Sequence, residues 1–275
     1  MTRDTTTDVT PRAVLCDLDG VVWLAHQPIP GSVEAIARMR AAGHRVLFVT
    51  NNSAAKVEDQ EAALGHIGIP AEGDVLTSSM AAALLLQPGE RVLVAGGDGV
   101  VQAMERRGVV CVPAAAVDAG ERVDAVVVGL HRSFDYAGLT RAATAIHAGA
   151  RLIGTNDDAT YPTPRGPIPG GGSILAAVQT AAGVQPVIAG KPHEPMAALV
   201  RETIGAAAAR DALMVGDRPS TDGLFAVTLG CGYAHVSSGV TPRGTAIDPH
   251  PDLAADDLAA VADALVTGRY RQGVG

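Results

Sequence analysis

The stretch Ala13-Val14-Leu15-Cys16-Asp17-Leu18-Asp19-Gly20-Val21-Val22 sets two carboxylates at the end of a short apolar run. Residues 13 to 16 are apolar and partly β-branched, which suits a buried strand, and Gly20 supplies a turn just beyond it. Residues two apart on a pleated strand share a side, so Asp17 and Asp19 converge on one small volume. Two carboxylates about 4 Å apart repel by about 4 kcal/mol at an effective dielectric of about 20. A cation must lie between them, or one must hold a proton. Taken alone, the pair reads equally well as two acids capping an exposed turn.

Working outward, Gly31 to Ala42 has helical spacing, and Arg45 to Val49 is a second strand that runs into Thr50-Asn51-Asn52-Ser53. That polar cluster precedes a predicted helix from Lys56 to Gly65, where hydroxyls and backbone N–H groups can bind an anion or simply cap the helix. A short strand over Asp74 to Leu76 and an Ala/Leu-rich helix follow. Residues from about 87 to 184 alternate strands and helices as a second unit and are expected to form a domain of their own. Within it, Asn156 to Ser173 is rich in Pro and Gly and is expected to be a long structureless loop, a place where function concentrates. Gly96-Gly97-Asp98-Gly99 lacks the spacing of a dinucleotide-binding turn and reads as a tight strand-to-helix connection.

The first unit resumes at Pro186 to Gly190, a strand that delivers Lys191 at its end. A helix from Glu194 to Ile204 leads to strand Ala212 to Val215, which ends in Gly216-Asp217-Arg218-Pro219-Ser220-Thr221-Asp222. Tyr233 to Ser237 is a last strand and Asp252 to Val266 a last helix. If the four strands form one parallel sheet, Asp17, Asp19, Thr50, Lys191, Asp217 and Asp222 share the edge where open α/β sheets bind ligands.

Composition narrows the function classes. The 275 residues carry a formal net charge of -8, and no basic cluster exceeds Arg106-Arg107, which argues against a nucleic-acid surface. No apolar run approaches the roughly 20 residues of a membrane span. The first twelve residues are polar, without the apolar core of a secretory signal, and read as a frayed tail. Three scattered cysteines fit a reducing, cytoplasmic setting. Lysine occurs only at Lys56 and Lys191, so the position of each is informative.

The motifs Asp17-Leu18-Asp19-Gly20, Val49-Thr50-Asn51-Asn52, Ala189-Gly190-Lys191-Pro192 and Gly216 to Asp222, in that order, resemble the haloacid dehalogenase superfamily of phosphohydrolases. Asn156 to Pro162 and Pro169 to Ser173 look like the large cap of its type IIA branch, similar to NagD and the p-nitrophenyl phosphatases. The resemblance runs from about Ala13 to about Val266. It implies a Rossmann-like, doubly wound parallel-sheet core over 1–82 and 185–275, with an α/β cap domain inserted at 83–184. It further implies Asp17 as nucleophile and Asp19 as general acid and base. Thr50, Asn51 and Asn52 would bind the phosphoryl oxygens, and Lys191 would neutralise phosphate and Asp17. Mg2+ would be held by Asp17, the Asp19 carbonyl and Asp217, with Asp222 in support.

The resulting expectation is a magnesium-dependent phosphatase for small phosphorylated metabolites such as glycerol phosphate, phosphoglycolate or sugar phosphates. A phosphomutase and a catalytically silent binding protein are the rival readings. The resemblance also implies a homodimer formed through the cap. Cys16 is expected to point away from Asp17 into the core. His193 and Arg218 are left open between site and surface, and Asp157 stands where the family has proline.

Overall fold

The computed structural model describes residues 12–163, 165–242 and 244–270. The expected polar tail lies, but for Arg12, outside them. β1 (Ala13–Cys16) has no polar face and is buried along its whole length, the signature of a parallel strand covered on both sides. A small hairpin of β2 (Trp23–Leu24) and β3 (Gln27–Pro28) follows it. Then come α1 (Ser32–Ala41), β4 (Arg45–Thr50), α2 (Val57–His66), β5 (Val75–Thr77) and α3 (Ser78–Ala83), a regular alternation of buried strand and half-buried helix.

The second unit contains β6 (Arg91–Ala95), α4 (Asp98–Arg106), β7 (Val110–Cys111), α5 (Ala114–Asp118), β8 (Ala125–Val128), α6 (Tyr136–His147) and β9 (Arg151–Gly154). It continues with β10 (Thr160–Tyr161), β11 (Ile168–Pro169), α7 (Gly171–Ala182) and β12 (Val187–Ile188). The chain then forms α8 (Glu194–Ile204), α9 (Ala206–Arg210), β13 (Leu213–Gly216), one π-helical turn over Pro219–Gly223, α10 (Leu224–Leu229), β14 (Gly232–Val236), β15 (Leu253–Ala255) and α11 (Leu258–Val266).

Two parallel sheets result. The first has the order β15-β14-β13-β1-β4-β5, so the chain winds one way from β1 to β5 and the other way from β13 to β15. The reversal falls between β1 and β13, where a doubly wound sheet opens a crevice at its strand ends. The second sheet has the order β12-β9-β8-β6-β7. Three expectations are corrected here. The strand before Lys191 does not rejoin the first sheet, because β12 pairs with β9 in the second. The expected structureless loop at Asn156 to Ser173 folds back as the β10–β11 hairpin and runs into α7. The single last helix is β15 followed by α11, with Asp257 as its N-cap.

The second unit is also not packed apart from the first. One buried cluster contains Leu15, Leu47 and Met214 of the first sheet and Val92, Val127 and Ile153 of the second, with α3, α4 and α8 contributing Ala82, Met104 and Met196. The outer faces have clusters of their own. Val14, Phe48 and Val215 pack with α1 and α11, and Leu93, Val126 and Leu152 pack with α6 and α7. The glycine turn before α4 forms part of this joint. A Cβ at Gly99 would sit 2.0 Å from the Ala55 carbonyl oxygen, so close backbone approach accounts for that glycine without any nucleotide.

Candidate active site

β1 lies between β4 and β13 in parallel register, with Cys16 opposite both Phe48 and Val215. The register brings the ends of all three strands level, and the Asp17 N–H donates to the Val215 carbonyl (2.9 Å). Asp17, Asp19, Thr50, Asn51, Asn52 and Lys191 line one compact cleft of about 60 Å³. Cys16 points the other way and is wholly buried, and burial raises its thiol to about 12. The core reading of that residue holds.

Lys191 is 1 % exposed, and its Nζ lies 2.9 Å from Asp17 Oδ1 and 2.7 Å from Asp222 Oδ1. A buried ammonium needs such partners. Burial pulls its pKa down, but Asp17 and Asp222 outweigh that and leave it raised, so it is charged at neutral pH. Asp222 is delivered by the π-helical turn directly over β13, where a Cβ on Gly216 would sit 2.2 Å from the Asp222 Cβ. Its Oδ2 accepts the Arg218 N–H (3.1 Å), so both of its oxygens are engaged. Asp217 is different. Its Oδ2 accepts the Val240 N–H (2.7 Å), while Oδ1 is buried without a hydrogen-bond partner among the described residues.

Carboxylate oxygens of Asp17, Asp217 and Asp222 lie within 4.8 Å of one another. Burial, then the neighbouring carboxylates, push Asp217 upward, and burial does the same to Asp222 against the pull of Lys191. Asp19 is raised to about 7, first by burial and then by the charge of Asp17. Crowded carboxylates of this kind hold protons or bind a hard cation through oxygen. A carboxyl that titrates near neutrality can both give and take a proton.

The side chains of Asn51 and Asn52 are engaged within the protein. The Asn51 side chain accepts from Lys191 N (2.8 Å) and donates to the Lys191 carbonyl (3.0 Å) and to Asp158 Oδ2 (2.9 Å). Asn52 Oδ1 accepts from Ala54 N (3.1 Å), and the Asn52 N–H donates to Thr50 Oγ1 (3.1 Å). Both residues line the cleft, but their amide side chains hold the protein together. Asn156 Nδ2 donates to the Asn51 carbonyl (2.8 Å), which ties the second unit to the same loop.

Asn156, Asp158, Tyr161, Arg218 and Thr221 also line the cleft. Asp158 is raised by burial. The signal for Asn156 and Asp158 was a polar cluster just past β9, the pattern that singled out Thr50. Arg218 thereby falls on the site side. His193 instead pairs with Asp157 (Nε2 to Oδ2, 3.2 Å), at half-exposed positions beside the cleft, and this pairing holds Asp157 below the usual carboxylate range.

The site is therefore a buried lysine among acids at the switch point of an open α/β sheet, where such sheets bind ligands. The chain belongs to the haloacid dehalogenase-like hydrolases: the family model of that description matches residues 14–110, and a second, HAD-hydrolase-like model matches 188–261. It is 40% identical over 243 residues to D-glycerol 3-phosphate phosphatase of Mycobacterium tuberculosis, an alignment spanning 86% of this chain and 66% of that relative. It is 35% identical over 255 residues to 5'-nucleotidase YutF of Bacillus subtilis, covering 90% of this chain and 96% of the relative. The crystal structure of a Mycobacterium tuberculosis glycerol phosphate phosphatase in complex with magnesium superposes with a TM-score of 0.82 at 35% identity, over 93% of this chain and 78% of that one.

Proposed function

We infer that the protein is a magnesium-dependent phosphatase of small phosphomonoesters, and that residues 83–184 together with β12 act as a cap over the site. The observation that carries this reading is the buried Lys191 ammonium between Asp17 and Asp222. It fixes the rotation of the Asp17 carboxylate and leaves positive charge where phosphoryl oxygens would lie. Asp17 attacks phosphorus, the bond from phosphorus to the alcohol oxygen breaks, and Asp19 protonates that oxygen. Asp19 then takes a proton from water as the water attacks the aspartyl-phosphate, which frees phosphate and restores Asp17. Thr50 and Lys191, with the nearby amides of Asn51 and Asn52, bind the phosphoryl oxygens.

The residues present fit a hard divalent cation. The donors are oxygens, Asp217 contributes one of the clustered carboxylates, and its Oδ1 is buried with no hydrogen-bond partner among the described residues. Asp17, the Asp19 carbonyl and Asp217 would hold magnesium, with Asp222 in support. When bound, it polarises the phosphoryl oxygens and offsets the local negative charge. Glycerol phosphate, phosphoglycolate and sugar phosphates are within this substrate range.

The unpaired Cys16, Cys111 and Cys231 suit a cytoplasmic, reducing compartment, and no described helix is long and apolar enough to cross a membrane. A homodimer through the cap belongs to the same reading, supported by the open edge of β12, where Val187 is exposed. Release of p-nitrophenol from p-nitrophenyl phosphate, measured with magnesium and with chelator, tests the activity. Full activity in excess chelator would remove the metal. Transfer of the phosphoryl group to a second substrate hydroxyl would mark a phosphomutase, and no turnover at all a silent binding protein.

A further inference from the structure

β12 ends at Ile188, so Lys191 is delivered by the loop beyond it rather than by the strand itself. The ladder to the second sheet runs briefly past the strand: the Ala189 N–H donates to the Gly154 carbonyl (2.9 Å) and the Gly190 N–H to the Thr155 carbonyl (2.7 Å). There the Asn51 carboxamide takes over the next rung. Its Oδ1 accepts the Lys191 N–H (2.8 Å) and its Nδ2 donates to the Lys191 carbonyl (3.0 Å), so one side chain satisfies both backbone groups of the residue that carries the ammonium. A Cβ on Gly190 would lie 2.5 Å from Asn51 Oδ1, so the carboxamide is packed tightly against this backbone.

The carboxamide is itself held from the second unit. Its nitrogen has two hydrogens to donate, and besides the Lys191 carbonyl it serves Asp158 Oδ2 (2.9 Å). Asp158 has a firm base: its N–H donates to Asn156 Oδ1 (3.2 Å), and its carbonyl accepts the Gly172 N–H in the first turn of α7 (2.9 Å). Asn156 Nδ2 and the Ser78 hydroxyl both donate to the Asn51 carbonyl, at 2.8 Å and 2.9 Å, so the Asn51 backbone is fixed as well. What Asp158 adds is the rotation of the side chain. Turned over, Asn51 would set its oxygen against the Asp158 carboxylate and its NH2 against the Lys191 N–H. Rotation matters because Lys191 Nζ must reach both Asp17 Oδ1 and Asp222 Oδ1 in a buried space that tolerates little displacement.

We propose that Asp158 is a positioning residue for the Lys191 ammonium, acting through the Asn51 carboxamide, so that the second unit sets the charge arrangement at the nucleophile. The proposal rests on the phosphatase reading above and deepens it. The contacts run from Asp158 to Asn51, from Asn51 to Lys191, and from Lys191 to Asp17. Asp158 also lines the cleft, with Oδ1 4.0 Å from Arg218 Nη1, so direct contact with the alcohol of the substrate is the competing role. The two roles differ in kinetics. A positioning residue slows every monoester alike, because all share the phosphoryl group, whereas a contact with the alcohol selects among them.

The test is a double-mutant cycle in kcat for p-nitrophenyl phosphate at saturating magnesium. Asp158→Ala should lower kcat by about tenfold, short of the roughly 10²-fold that a misplacement of 1 Å costs. In an Asn51→Ala background the same change should cost less than about twofold, since the group it acts through is gone. Asp158→Asn loses the charge but keeps an oxygen that accepts from Asn51 Nδ2, so it should recover most of the rate. Asp157→Asn, which removes a charge from the adjacent residue paired with His193, should leave kcat unchanged. With glycerol 3-phosphate the Asp158→Ala loss should be the same. Asp158→Ser, too short to reach Asn51, takes the place of the alanine variant should that protein not fold. Losses that multiply in the double variant, losses that differ between the two substrates, or a wild-type kcat in Asp158→Ala overturn the positioning role and leave the phosphatase standing. Failure of the wild type to hydrolyse any monoester overturns both.

Discussion

Asp17 is the attacking carboxylate of the proposed mechanism, and the Lys191 ammonium 2.9 Å away is the group proposed to hold it in place. Asp17→Asn removes the attacking oxygen from a site with no substitute, so turnover should vanish while the circular dichroism spectrum stays native. Substantial phosphate release by that variant would exclude Asp17 as nucleophile. Lys191→Arg keeps the charge, but a guanidinium is wider than an ammonium and directs its donors rigidly in one plane. The space between Asp17 Oδ1 and Asp222 Oδ1 is fully buried and fitted to one nitrogen at 2.9 Å and 2.7 Å. The loss should appear chiefly in kcat and be on the order of 10²-fold or more. Lys56, exposed at the N-cap of α2, is the control, and Lys56→Arg should be silent. Equal, near-wild-type rates for the two arginine variants would show that Lys191 has no part in the chemistry.

Among the elements, the joint between the loop after β4 and the turn before α4 governs how the two sheets meet. The Gly99 N–H donates to the Ala54 carbonyl (3.0 Å), and a side chain at Gly99 would collide with the backbone of Ser53 and Ala55. Gly99→Ala should therefore force the sheets apart locally and destabilise by about 1–3 kcal/mol, the usual cost of overpacking. Thr50 is the last residue of β4, directly before that loop, so kcat should fall as well. Gly65 is the counterpart, a glycine inside α2 with open space where its Cβ would be. Gly65→Ala should stabilise by about 0.5–1 kcal/mol through helix propensity. Thermal melts of the two variants check the pair, and a Gly99→Ala protein as stable as wild type would mean that the joint yields freely.

For the whole molecule, the acid cluster ties stability to pH and to metal. In the metal-free protein Asp19 is raised to about 7, and Asp217, Asp222 and Asp158 are raised as well. The folded state then binds more protons than the unfolded chain between the ordinary carboxylate range and neutrality. Their contribution is fully present below the unfolded pKa of about 4 and is lost as pH rises through about 7. A bound divalent cation replaces those protons, and it competes with them best when they are gone. The rise in Tm on adding magnesium should thus be larger at about pH 8 than at about pH 5.5, and Asp217→Asn should shrink it at both. Calorimetry with and without chelator measures this, and a rise independent of pH would contradict the carboxylate cluster as the metal site.

Local pattern carried a large part of this protein. Ala13 to Gly20, Val49 to Asn52 and Gly216 to Asp222 were legible because each is an apolar run that breaks into polar residues, and that break marks a strand end wherever the strand is placed. The helices of the core showed in their spacing for the same reason. Lys191 stands out by rarity, yet its local sequence points its strand to the first sheet, whereas β12 pairs with β9 in the second. Two residues of β12 pair equally well with any open edge, and only the approach of β9 decides which edge is near. The β10–β11 hairpin escaped notice because its strands are two residues long, too short to show a period. The structural duty of Asn51 depends on Lys191 and Asp158, more than a hundred residues away, and the cavity lined by Leu24, Gln27, Thr160 and Pro167 exists only because segments distant in sequence meet. Strand ends and their chemistry are properties of short stretches and follow from sequence by itself. Sheet membership, the shared core between the two sheets and the cavity beside the site depend on contacts between distant parts of the chain, and only the tertiary structure decides them.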